Sequence, residues 1–222
     1  MERKLEPELM EDMAQAKAYS EADFDTQHSK IIDLIDLVFG AVEFSGEILD
    51  LGCGPGDVTF RIAHRFSKAK ITGIDGSQAM INLAKVRQES DVQANNRVNF
   101  IQAMIPGFDI PQKTYDLIVS TSFLHHLHQP DVLWQTIIDH SSPGTKVFVA
   151  DLCRAESKSV ARQTVNESAK NEPEVLKEDF YNSLLAAFTP EEVENQLFRA
   201  GLNNLSVHID DYIIIHGEMG LI

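Results

Sequence analysis

The feature that most constrains this chain is the run Asp50-Leu51-Gly52-Cys53-Gly54-Pro55-Gly56, set between an apolar segment, EILDLG (47–52), and a helix-like stretch that begins near Asp57. Glycines at alternate positions let the backbone turn sharply at a strand's end, and they let a ligand lie against main-chain N–H groups where a side chain would collide. Dinucleotide-binding turns read G-x-G-x-x-G, whereas this one reads G-x-G-x-G. That spacing argues against a nicotinamide cofactor, as does the lack of a Tyr-x-x-x-Lys pair. Asp50, two positions ahead of the first glycine, suits a ligand that carries positive charge. Asp75 closes a second apolar segment, KITGID (70–75), where a carboxylate can accept both hydroxyls of a ribose.

Around that turn, strand-like and helix-like pieces alternate, the pattern of a parallel sheet covered by helices on both faces. Further strands are expected at VNFIQA (98–103), YDLIVSTS (115–122) and TKVFVADL (145–152), the last introduced by a Ser-Pro-Gly turn. The tail LSVHIDDYIIIHGE offers two more runs joined by Asp210-Asp211, which predicts an antiparallel hairpin on the sheet edge. Helices are expected over 5–18, over 28–40 with Ile31, Ile32, Leu34, Ile35 and Val38 on one face, after Ser77 as N-cap, and after Pro130. Thr189-Pro190-Glu191-Glu192 reads as a capping box whose helix ends at Gly201. The fold expected is α/β: a doubly wound, mostly parallel seven-stranded sheet with an antiparallel C-terminal hairpin. Residues 153–188, polar and helix-prone, interrupt the rhythm and are expected to lay one or two extra helices over the carboxyl edge of the sheet.

Composition narrows the partners. The formal net charge of −15 comes with no compensating basic stretch, so nucleic acid and anionic membranes would meet a repulsive field. No apolar run approaches the roughly 18 to 20 residues that cross a bilayer, and the opening MERKLEPELMEDMAQ has no apolar core, so a cytoplasmic location is expected. Cys53 and Cys153 form neither a disulfide framework nor a metal-ligand spacing; reduced thiols and no metal are expected. The oligomeric state is left open.

The segments ILDLGCGPGDVTFRIA and ITGIDGSQAMINLAK resemble motif I and the acidic motif that follows it in class I S-adenosylmethionine-dependent methyltransferases. The resemblance continues through VNFIQAMIPGFDI, YDLIVSTSFLHHLHQPD and SPGTKVFVADL, and so covers roughly residues 45–152. It implies S-adenosylmethionine as donor, with Gly52, Cys53, Gly54 and Gly56 shaping the methionine pocket and Asp50 meeting the donor's sulfonium and ammonium charges. Asp75 would bind the ribose, and Gly76 and Met80 would flank the adenine. Ala103 and Met104 fall where the family often has Gly-Asp, so here the adenine edge is left to backbone. Ser120 and Thr121 would lie beside the transferable methyl, with Ser122 next to the acceptor.

A single domain, 1–222, is expected in four parts. Residues 1–44 form N-terminal lid helices, where Tyr19, Phe24 and His28 resemble the lid over the donor and Phe24 reaches the acceptor. Residues 45–152 form the donor-binding core, 153–188 a helical cap with Tyr181 toward the acceptor, and 189–222 the C-terminal helix and hairpin. The reaction implied is in-line displacement at the donor methyl, onto a small molecule. An amine acceptor needs only a free lone pair, whereas a hydroxyl needs a base, for which His125, His126 and His28 are candidates. Two alternatives stand beside this reading: methylation of protein or RNA, and a donor-binding module of the same fold without transfer. No acidic residue is assigned from sequence to orient any of these imidazoles.

Overall fold

The computed structural model describes residues 1–40, 43–106 and 114–220. Part of the segment VNFIQAMIPGFDI, from Gly107 to Ile110, lies outside them. Two helices, α1 (Met13–Glu21) and α2 (Asp25–Phe39), precede strand β1 (Glu47–Leu51). Then come α3 (Asp57–Arg65), β2 (Lys70–Asp75), α4 (Gln78–Ser90), β3 (Val98–Gln102) and β4 (Leu117–Thr121). A short 3-10 turn (Leu124–His126) leads to α5 (Asp131–Asp139) and β5 (Lys146–Asp151). The chain continues through α6 (Lys158–Ser168), α7 (Glu174–Ala186), α8 (Pro190–Ala200), β6 (Ser206–Ile209) and β7 (Ile213–Glu218).

The strands form one seven-stranded sheet in the order β3-β2-β1-β4-β5-β7-β6, parallel through β5 and antiparallel where β7 joins β5 and β6. This is the sheet expected from the alternation of segments. Apart from Asp50 and the partly exposed Glu47 at its start, β1 is apolar on both faces: Ile48 faces a core shared with α2, α3 and α4, while Leu49 and Leu51 face one shared with α5 and α8. A strand covered on both faces has no polar side. The Ile31, Leu34 and Ile35 stripe of α2 is buried as expected, and Ser77 caps α4 by accepting the Met80 N–H. Thr189 and Glu192 make the reciprocal bonds of a capping box.

The expected helix over 5–18 is corrected. Helix α1 starts only at Met13, where the Asp12 carboxylate accepts the Gln15 N–H at 2.8 Å. Upstream of it, side-chain bonds to the rest of the protein replace helical ones. The Arg3 guanidinium donates to the carbonyls of His125 (2.7 Å), Leu127 (2.9 Å) and Ala186 and covers the Phe188 ring, and Glu8 accepts the His128 N–H. Residues 3–8 thus form a strap across the 3-10 turn and α7. Among the described residues no helix is long and apolar enough to cross a membrane.

Candidate active site

The carboxyl ends of β1, β2 and β4 open into a cavity of about 1380 Å³, enough for two small molecules side by side by the usual size of ligand pockets. Its floor is the glycine turn. Gly52 has φ +75°, and a Cβ there would stand 2.3 Å from the Phe123 ring, so this glycine is required by packing. Gly54, at φ +52°, would point a Cβ into open space, so its bare backbone faces the cavity. Gly56 lies behind, as the left-handed N-cap of α3. Asp75, at the end of β2, accepts the Gly54 N–H at 2.9 Å and the Ser77 N–H at 2.8 Å and borders the same cavity. Burial outweighs these two donors and lifts its carboxyl above the usual range.

Gly76 and Met80 also line the cavity, whereas Ala103 and Met104 line a smaller adjoining one of about 280 Å³ that Asp75 and Gly76 share. Asp50, Gly56 and Ser120 stand one layer back, outside both linings. Asp50 is fully buried, its Oδ2 accepting from Thr59 at 2.6 Å and its Oδ1 without a partner, and burial pushes its carboxyl up to about 6. Direct contact between Asp50 and a ligand is therefore corrected to a charge beneath the loop. Ser120 ties β4 to β1 by donating to the Leu51 carbonyl. Cys53 lines the cavity as a buried thiol whose pKa burial raises, which suits a filler.

Two further walls come from distant parts of the chain. Tyr19, Phe24 and His28 form a row, with ring centroids 5.0 and 5.2 Å apart, along one side. On the other side α7 presents Leu176, Phe180 and Leu184 at fourfold spacing. The expectation for Tyr181 is corrected: one residue further round the helix, it packs toward α6 beneath the Arg162 guanidinium, 3.7 Å from its ring centroid, and does not reach the cavity. Ser122 and Thr121 border the cavity, and Ser122 holds a left-handed φ of 49°, uncommon without glycine and typical of strained functional loops.

Each candidate histidine has a carboxylate that sequence did not supply. His28 Nδ1 is 2.7 Å from Asp57, which also receives Arg61 and Arg87; against the opposing effect of burial, His28 and Arg61 hold Asp57 well below the usual carboxylate range. His125 is buried with Nδ1 2.5 Å from Asp151 Oδ1 at the end of β5. Burial disfavours its imidazolium, but the Asp151 charge and then Glu6 prevail and raise its pKa. His126, packed against it at 4.2 Å between centroids, is driven down to about 3 by burial first and then by the proximity of the His125 ring.

Comparison with known proteins bears on what this cavity serves. Residues 48–144 match the family model described as "Methyltransferase domain". This stretch is a methyltransferase domain. Over 129 residues the chain is 30% identical to phosphoethanolamine N-methyltransferase of Triticum aestivum, a match spanning 58% of this chain and 24% of that protein. The chain thus covers well under two thirds of that relative. A Methanococcus maripaludis protein assigned to the S-adenosyl-L-methionine-dependent methyltransferases superimposes with TM-score 0.71 at 20% identity, covering 98% of this chain and 97% of its own. The plantazolicin methyltransferase BpumL, solved with S-adenosylhomocysteine and a triazolic desmethylPZN analogue, gives TM-score 0.63 at 21% identity, covering 88% of this chain and 71% of its own. The sheet that carries the methyltransferase domain has the class I, S-adenosylmethionine-dependent methyltransferase fold.

Proposed function

We propose that this chain transfers a methyl group from S-adenosylmethionine to a small-molecule acceptor. The observation that carries the reading is Asp75 at the wall of a deep cavity beside the bare backbone of Gly54. In this reading the donor lies across residues 45–152, with Asp75 accepting the ribose hydroxyls and Gly52, Cys53 and Gly54 bordering the methionine part. Gly76, Met80, Ala103 and Met104 flank the adenine. Tyr19 and Phe24 close over it, and Thr121 and Ser122 border the reacting centre. The donor supplies an electrophilic methyl group; the chain's residues align the acceptor in line with it and exclude water. His125, oriented by Asp151, takes the acceptor's proton.

S-adenosylmethionine and S-adenosylhomocysteine are expected to bind in calorimetry, and NADH is not. Asp75→Ala should weaken donor binding by about 1 to 3 kcal/mol, the range for losing charge-assisted hydrogen bonds. Binding of NADH without S-adenosylhomocysteine would end the reading. On the acceptor side, Phe180→Ala is expected to raise acceptor KM with donor affinity unchanged. Tyr181→Ala should instead cost about 1 to 2 kcal/mol of stability and leave KM alone. A KM shift at position 181 without one at 180 would reverse this assignment of the helix face.

A further inference from the structure

The strap of residues 3–8 brings Glu6 to the two histidines of the 3-10 turn. Glu6 Oε1 stands 3.5 Å from His125 Nε2 and 3.2 Å from His126 Nδ1, and one ligand-capable atom from each residue lies within 4.8 Å of the others. The first distance is too long for a good hydrogen bond, and His126 Nδ1 is buried without a hydrogen-bond partner. Both distances match the edge of a tetrahedron built on metal–ligand bonds of about 2.0–2.1 Å, an edge of roughly 3.3–3.4 Å.

The remaining polar atoms are arranged as around ligand imidazoles and carboxylates, which are held from behind by hydrogen bonds. His125 is held through Nδ1 by the buried Asp151 carboxylate. The His126 ring lies beside the backbone of Pro7, and its Nδ1 has no hydrogen-bond partner. Ser183 Oγ donates to the Glu6 carboxylate at 3.2 Å. All three candidate ligands border the cavity, on the side where the acceptor is placed. Sequence concealed the set, because Glu6 lies far from the histidines along the chain.

We propose that Glu6, His125 and His126 bind one divalent first-row transition-metal ion, with its remaining coordination positions open to the cavity. Two imidazoles and a carboxylate without thiolate suit zinc and its neighbours in that row. Ion binding stands on this geometry alone; its use in catalysis rests on the methyl-transfer reading. There, a hydroxyl acceptor bound at an open position loses its proton to solvent. Its lone pair forms the new bond to the methyl carbon as the carbon–sulfur bond breaks, and the sulfonium departs as a neutral thioether. With the ion bound, His125 Nε2 is a ligand and the proton goes to solvent instead of to that nitrogen.

The test uses the full chain, stripped with a chelator and dialysed. Zinc is titrated by calorimetry and cobalt(II) by visible absorption, with S-adenosylhomocysteine binding measured on the same samples. One zinc per chain is expected, together with a cobalt spectrum of low-coordinate type. Glu6→Gln and His126→Gln should each weaken zinc by at least the 10- to 100-fold that outer partners of a metal site are worth, while His64→Gln, at an exposed side chain of α3, leaves it unchanged. Circular dichroism checks folding, and either ligand variant carries the test if the other fails to fold. Absence of stoichiometric uptake, or uptake indifferent to both ligand variants, overturns the proposal. If S-adenosylhomocysteine binds and zinc does not, only the ion site falls; if zinc binds and S-adenosylhomocysteine does not, the donor reading falls and the ion site stands.

Discussion

His125→Gln is expected to lower turnover by about 100- to 10,000-fold at saturating donor, with S-adenosylhomocysteine affinity and folding retained. The magnitude is that of losing the group which removes the acceptor's proton. If the proposed ion is bound, losing its ligand removes a Lewis acid worth several kcal/mol, a loss of similar size. Folding should survive, because the Asp151 carboxylate exposed by the change still accepts the backbone N–H groups of Phe123, His125 and Leu152. His28→Gln should cost far less, since His28 is committed to the Asp57, Arg61 and Arg87 network. Single-turnover rates beside donor titrations decide the matter. If His125→Gln stays within about tenfold of the parent, catalysis reduces to alignment with an acceptor that is already reactive.

The second large effect runs in the opposite direction. Asp50→Asn is expected to stabilise the protein at pH 7 by about 2 to 3 kcal/mol while weakening donor binding. One Asp50 oxygen has no partner, and burial puts its carboxyl near 6 against an ordinary 3.8. With the folded value above the unfolded one, the fold favours the protonated acid, so ionisation destabilises the native state. That cost is absent below about pH 4, grows between about 4 and 6, and is complete above. The gain in the Asn variant follows the same course, which denaturant melts at pH 4 and pH 7 will show. Equal stability of the two proteins at pH 7 would mean that Asp50 is charged without penalty. Donor affinity should fall because a negative charge beneath the loop favours a cationic ligand, a case of stability given up for binding.

The side of the cavity assigned to the donor was legible because its signals are local. The glycine turn, Asp75 and the N-cap of α4 each announce themselves within a few residues. The acceptor side is assembled from segments far apart in sequence, so neither Glu6 nor the pairing of His125 with Asp151 could be read from spacing. A signal for Asp151 did exist: like Asp75, it ends an apolar strand at the carboxyl edge. Leu176, Phe180 and Leu184 likewise repeat every fourth residue, which would have placed Phe180, and not Tyr181, on the inner face of α7. The helix expected over 5–18 failed because the bonds that hold Arg3, Glu6 and Glu8 are tertiary. Nothing in the sequence marks the left-handed backbone of Ser122.

The strand order reverses direction between β1 and β4, and the cavity opens over that reversal. Strands on the β2 side supply the wall assigned to the donor, whereas α7 supplies the opposite wall through connections that take no part in the β1–β2–β3 pairing. Inheritance can therefore treat the two walls as separate modules. Mutations accumulating in α6 and α7 would alter what is accepted without touching the turn assigned to the donor, so lineages sharing this sheet are free to diverge in substrate while keeping one donor.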